Sequence, residues 1–264
     1  MGRQPKILIW DVETSDMTVT IDTYQLKNRI RYFNPSDITR DWVMFGAAWK
    51  WWGEDQVHCV SVKPDDPFND YGIVRAIHEV IQEADMLVGH NSDAFDYKKL
   101  NTRAIQYDLH PLRFRPKDCV DTLKYARKYF KFSSNKLSYI ANYLGLDAKD
   151  ESPDWDKIKC GDPDEIRYMR KYNKQDVLVT EQVYDRLKGY DERHPDMSAI
   201  ASIKDVQGKN IPVCKVCTSY NTFKNGHSYN RKRTKMKQRY VCRDCNSSFV
   251  FGDFIPYIDM KDYF

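Results

Sequence analysis

The chain has 264 residues, with 42 Lys and Arg against 38 Asp and Glu, and seven cysteines. That length holds one domain of ordinary size plus a small appendage. No apolar run reaches the roughly 18 residues of a membrane-spanning helix, and Met1 to Lys6 contain no apolar signal region, so a cytoplasmic protein is expected. An odd cysteine count, with four in two Cys-x-x-Cys pairs, suits a reducing compartment and a metal better than a secreted disulfide framework. The charge is unevenly placed. Residues 1–190 hold 29 basic against 30 acidic side chains, whereas 214–245 hold nine basic against Asp244 alone. A near-neutral body joined to a basic module suits a polyanionic partner.

The first predicted element is a strand, Ile7 to Trp10, apolar throughout and so buried on both faces. It ends in Asp11-Val12-Glu13-Thr14. Strand side chains alternate, so Asp11 and Glu13 share a face while Val12 returns to the core. Residues 14–42 are polar and turn-rich, and read either as a surface excursion or as a flap beside Glu13. Residues 43–52 and 56–62 are predicted strands around a turn at Gly53. The spacing of Ile73, Ile77, Val80 and Ile81 predicts a helix over 71–84. Met86 to Val88 is a short buried strand that delivers His90 and Asn91 to its end. Helices are predicted over 93–107, 121–130, 136–144 and 163–188. Strands followed by helices indicate an α/β fold with a sheet covered on both faces. The domain reading is a body over 1–190, a linker over 191–210 with one helical turn near Ser198 to Val206, a basic cysteine module over 211–250, and a tail over 251–264.

Three acidic motifs lie in this frame. They are Asp11 with Glu13, Asn91 through Phe95-Asp96, and Tyr172-x-x-x-Asp176, whose spacing of four puts both side chains on one helix face. Each alone has an ordinary explanation: a solvated turn, a helix opening capped by Asn91 or Ser92, an exposed helix face. Together they gather four carboxylates and a tyrosine. Packed carboxylates repel one another unless cations lie among them, and hard divalent cations take oxygen ligands. Two such ions ~3.5–4 Å apart hydrolyse phosphodiesters, one acidifying the attacking water and the other stabilising the leaving oxygen.

In this order the motifs resemble those of the DEDD 3′–5′ exonucleases of the ribonuclease-H-like superfamily, in the DEDDy subgroup with Tyr in the third motif. Asp118-Cys119-Val120-Asp121-Thr122-Leu123, Lys131 to Leu137, and Leu144-Gly145-Leu146 are similar to the exonuclease domain of family B DNA polymerases. His90 to Asp96 looks like the matching stretch of stand-alone bacteriophage exonucleases. Across residues 5–188 the resemblance implies a ribonuclease-H-like mixed sheet flanked by helices. It implies a hydrolase releasing nucleoside monophosphates from single-stranded or frayed 3′ ends, DNA above all, with two Mg2+ or Mn2+ ions. By the same resemblance Asp11 bridges both ions, Asp176 holds the one on the nucleophile side, and Asp96 acts largely through water. Glu13 binds metal and orients the attacking water, which Tyr172 hydrogen-bonds. With an ordinary pKa near ~10, Tyr172 is a poor base at neutral pH. Thr14, Asn91 and Phe95 are candidate contacts to the nucleic acid, Phe95 equally reading as core filler, and His90 is expected to brace backbone. A phage-encoded chain would work in the bacterial host cytoplasm.

Cys214-x-x-Cys217 and Cys242-x-x-Cys245 are separated by 24 residues. Two thiolate pairs on separate turns build a tetrahedral site suited to one structural Zn2+, and the stretch looks like the zinc ribbons appended to nucleic-acid enzymes. Arg231, Lys232, Arg233, Lys235, Lys237 and Arg239 lie between the pairs and are expected to contact phosphates; the ordinary reading of such a run is a solvated face. The tail either docks on the body or offers a protein partner a peptide. Cys59, Cys119 and Cys160 read as ordinary core or surface residues. Two other functions stay open: an RNA 3′–5′ exonuclease, and a non-catalytic nucleic-acid adaptor acting through the ribbon.

Overall fold

A computed structural model describes residues 3–22, 33–112, 118–146, 151–191, 193–201 and 209–257. The expected flap falls partly on 23–32, outside the described residues. The apolar run at the start of the chain forms β1 (Ile7–Thr14), the centre of a five-stranded sheet. Its order is β5-β4-β1-β6-β7, with β4 at Met44–Trp51, β5 at His58–Ser61, β6 at Met86–Gly89 and β7 at Cys119–Asp121. β4 is antiparallel to β1 and β5 to β4, whereas β6 pairs β1, and β7 pairs β6, in parallel. β2 (Thr18–Val19) and β3 (Ile38–Arg40) pair at the base of the 14–42 excursion.

Alternation along β1 sorts the core into two layers. Leu8, Trp10 and Val12 pack with α1 (Tyr71–Gln82) and α2 (Asp96–Gln106). Ile7 and Ile9 face the other way, against α3 (Thr122–Tyr129), α4 (Leu137–Tyr143) and α6 (Pro163–Leu187). A short α5 (Trp155–Lys159) precedes α6. The 25-residue α6 begins where Asp162 caps the backbone N–H groups of Asp164 and Glu165 and Pro163 fills the first turn. Its later half is fastened to the sheet. Buried Lys50 of β4 pairs with Glu181, which also accepts from Gly53 N at 3.1 Å, and Trp52 Nε1 donates to Asp185 at 3.0 Å. No helix of the described residues is long and apolar enough to cross a membrane.

The cysteine module forms a second, antiparallel sheet ordered β10-β9-β8, with β8 at Thr222–Tyr229, β9 at Lys235–Cys242 and β10 at Ser248–Pro256. Residues 251–256, read in the sequence as the start of a tail, therefore continue a ribbon strand, and 258–264 lie outside the described residues. The helical turn expected near Ser198 is α7 (Ser198–Ala201). The described part of the stretch read as a linker is packed. His194 is buried with Nε2 at 2.8 Å from the Tyr184 hydroxyl, and Met197 N donates to the Lys215 carbonyl at 2.9 Å. Gly189 sits so closely under the ribbon that a Cβ there would lie 2.2 Å from the carbonyl oxygen of Cys245. The obstacle is backbone, so no rotamer change relieves it. Gly189→Val should therefore lift the ribbon off its seat while the body stays folded. Proteolysis follows the population of an opened form, so undocking by ~1.4 kcal/mol would speed tryptic cleavage within 191–210 about tenfold.

Candidate active site

The row of β1 that faces α6 runs Ile7, Ile9, Asp11, Glu13. The buried stripe of α6, through Ile166, Met169, Asn173, Asp176 and Thr180, crosses it. Where the two meet, Asp11, Glu13 and Asp176 present carboxylate oxygens all within 4.8 Å of one another. Asp176 is buried and the other two are half-buried. Glu13 faces Gly46 across the β1–β4 pairing, and a Cβ on Gly46 would approach the Met169 methyl to 3.2 Å. The bare backbone there gives α6 room to settle on the sheet beside the acidic row.

Asn173 was not among the residues marked by sequence. It is fully buried, and its Nδ2 donates to Asp11 Oδ2 at 2.7 Å. Its only sequence signal is an amide at a core position of an amphipathic helix, one residue after Tyr172. Asp96 stands apart from the group of three. It is buried in the first turn of α2 with Oδ1 accepting from Val12 N at 3.0 Å, the residue between Asp11 and Glu13. Burial above all, with the charge of Asp121 behind it, pushes the Asp96 carboxyl up to about 7, against the backbone hydrogen bonds it accepts.

An open cleft of about 610 Å³ adjoins these residues, lined by Asp11, Asp176 and Tyr172 and by His90, Asn91, Leu123, Arg127 and Ser134 to Ser138. Asn91 has a left-handed backbone, φ 65°, and its N–H donates to Asp121 Oδ1 at 2.8 Å. Asp121 also caps α3 by accepting from Leu123 N, so one carboxylate sets both the helix start and the aim of Asn91. His90 is a strut. Its Nε2 lies 3.0 Å from the Asn135 carbonyl, and its Nδ1 lies 2.9 Å from the Thr122 hydroxyl. Thr14 and Phe95, expected to touch nucleic acid, are not in the cleft lining. Thr14 closes β1. Phe95 is 39% exposed at the mouth of α2, with the Lys99 ammonium 5.4 Å from its ring and 3.5 Å from that of Trp42. Arg127 and Lys136, exposed on the cleft wall, were not singled out in the sequence.

In the ribbon all four expected cysteines converge, with sulfurs within 4.8 Å of one another. Cys214 and Cys245 sulfurs are 3.6 Å apart and those of Cys217 and Cys242 3.5 Å, too far for disulfides. Hydrogen bonds from Cys217 and then Cys245 lower the Cys214 thiol. The same bonds raise Cys217 and push Cys245 up to about 11. Four thiols this close cannot all ionise without a cation among them. The donor chemistry fits in both places: hard oxygens for Mg2+ or Mn2+, soft sulfurs for Zn2+.

A central strand ending in acidic residues, crossed by a helix that adds another, in a sheet ordered β5-β4-β1-β6-β7, is the layout of a ribonuclease-H-like fold. The RNase H superfamily model matches residues 39–188, and the chain belongs to that superfamily. The matched span includes Asp96, Tyr172 and Asp176; Asp11 and Glu13 precede it and join it through the β1–β4 ladder. The fold is similar to that of the family B DNA polymerase from the hyperthermophilic archaeon Pyrobaculum calidifontis, with a TM-score of 0.52 and 18% identity over 69% of this chain. The chain spans 24% of that polymerase. No curated protein matches it in sequence.

Asn173→Leu keeps the volume but removes the hydrogen bond to Asp11. Losing such a support typically costs 10–100-fold in metal affinity, which calorimetric titration with Mn2+ would read. Asp96 gives a pH test. Its folded pKa lies above the unfolded value, so the stability it confers is complete below about 4 and lost as pH rises towards 7. In metal-free protein, Asp96→Asn should raise the melting temperature at pH 8, and that advantage should shrink by pH 5.

Proposed function

We propose that this chain is a metal-dependent 3′–5′ exonuclease of the DEDDy kind, shortening single-stranded or frayed DNA from its 3′ end. The observation that carries the reading is the convergence of Asp11, Glu13 and Asp176 within 4.8 Å beside a cleft that Tyr172 lines. Asp11, Glu13 and Asp176 would hold two Mg2+ or Mn2+ ions, with Asp96 contributing through water; bound there, the ions supply an acidified water and a counter-charge for the phosphate.

The chain's own groups do the rest. Asn173 fixes the rotamer of Asp11, and the Val12 N–H fixes Asp96. Tyr172 stands on the cleft wall beside Asp176 and orients the attacking water by a hydrogen bond. Asn91, aimed by Asp121, contacts the terminal nucleotide, while Arg127 and Lys136 face the phosphates of the nucleotides behind it. The four ribbon thiolates would hold one structural Zn2+, without which a module this small has too little core to stay folded.

The test uses 5′-labelled DNA and RNA 20-mers in Mg2+ and in Mn2+. A ladder shortening from the 3′ end, with release of nucleoside monophosphates, is the expected result, faster on DNA. Asp11→Ala and Asp176→Asn should abolish it while leaving the fold intact, and Tyr172→Phe should slow it on the order of 10²–10⁴-fold. Full activity of Asp11→Ala or Asp176→Asn would sink the site assignment. Binding without shortening of either polymer would mark a nucleic-acid adaptor instead.

A further inference from the structure

In sequence the ribbon's basic run is a sum of charges; in the fold it is sorted by β9. Residues two apart on a strand share a face, so Lys235, Lys237 and Arg239 lie on one side, with Val241, and Met236, Tyr240 and Cys242 on the other. The second side is the packed one. Tyr240 stacks on Phe249 with ring centres 5.9 Å apart, and Cys242 is buried with Cys214, Val216 and Phe249. The first side carries large apolar groups that the described residues leave partly exposed. Phe223 stands opposite Val241 and Val250 opposite Arg239, and cross-strand partners share a face. Phe223, Val250 and Phe254 are 38%, 47% and 49% exposed. The pairing of β10 is interrupted between Phe251 and Ile255, around Gly252 at φ 89°, and the irregularity returns Phe254 to Lys237. The Lys237 ammonium lies 4.7 Å from the Phe254 ring centre, and the Arg243 guanidinium 4.7 Å from that of Phe223.

Exposed rings, each beside a cation, on a face carrying two further positive charges, Lys235 and Arg239, call for a ligand that alternates flat apolar faces with negative ones. An acidic peptide would answer the cations and leave the rings bare. A duplex would answer the cations and hide its base faces in its own stack. We propose that this face binds single-stranded nucleic acid, with bases stacked on Phe223 and Phe254 and the phosphates held by Lys235, Lys237, Arg239 and Arg243. The proposal rests on the exonuclease reading only for the ligand class and needs no cleavage. It adds to the charge run what charge alone does not give, a preference for unpaired strands.

The probe is 5′-fluorescein-labelled (dT)20, titrated with the full chain in the absence of added divalent ions and read by anisotropy, beside a blunt 20-base-pair duplex. Phe223→Leu and Phe254→Leu should each weaken (dT)20 binding about fivefold or more, the lower end of one base–aromatic stack, and leave duplex binding within about twofold. Phe223→Trp should restore it. Lys237→Ala and Arg239→Ala should weaken both ligands and flatten the salt dependence by about 0.7 in log–log slope per lost phosphate contact on the single strand. One zinc per chain in every variant shows that the ribbon is intact. Leucine variants that bind (dT)20 like the parent, or that lose single strand and duplex alike, would overturn the proposal. A chain that binds (dT)20 through these rings yet shortens nothing in Mg2+ would refute the exonuclease reading and support this one. A chain that shortens short oligonucleotides while its leucine variants bind normally would do the reverse.

Discussion

Asp11 and Asp176 are remote in sequence and alike in charge, so nothing in their own chemistry brings them together. What does is the laying of α6 across β1. At an effective dielectric of 20, two unit charges 4 Å apart repel by about 4 kcal/mol, and three carboxylates within 4.8 Å bring three such pairs. The opposing work is done over the next three turns of the helix, where Val177, Val179, Val183, Tyr184 and Leu187 are buried in the core and Lys50 grips Glu181. Asn173 then takes up one oxygen of Asp11. The acidic centre is held from outside itself, by the packing and ion pair of the helix that brings Asp176 to it.

Where a feature obeys a local period, the sequence carries it. Alternation along Ile7 to Glu13 gives both the buried strand and the shared face of Asp11 and Glu13, and the four-residue step from Tyr172 to Asp176 gives the matching helix. The cysteine spacing likewise gives the four-sulfur cluster. Features set by approach between distant segments leave no such mark. Asn173 looks like any helix residue until Asp11 is brought to it, and Asp121 reads as a motif letter until Asn91 is seen to hang from it. β2 and β3 are too short to show a pattern. The separation of Asp96 from the other three follows from its bond to Val12 N, which no spacing rule contains. In the ribbon, composition conveyed the charge but not its face, because sorting by face needs the strand register.

α6 serves two clusters of opposite character. One half presents Asp176 and Tyr172 to the oxygen-lined cleft, and the other presents Tyr184 to the underside of the sulfur cluster. Tyr184 is fully buried, and burial, reinforced by Asp185 and the nearby thiols, raises its hydroxyl well above the ordinary range. Its partner His194 is pushed down to about 4, chiefly by burial. The pair is thus a neutral hydrogen bond, the phenol donating to an imidazole whose other nitrogen gives its proton to the Pro195 carbonyl. A neutral pair can lie under the four crowded sulfurs without adding charge to them, and it makes the end of α6 a floor for the ribbon.

The seat at Gly189 bears on how the protein is made. α6 and Gly189 are synthesised by residue 190, while the backbone that covers Gly189 belongs to Cys245. At 5–20 residues per second, translation of the intervening stretch takes roughly 3–11 s, long compared with the folding of most small domains. The nascent body therefore waits on the ribosome with the Tyr184 end of its longest helix uncovered. Closure comes only when the last cysteine emerges, so the final step of assembly is set by the order of synthesis.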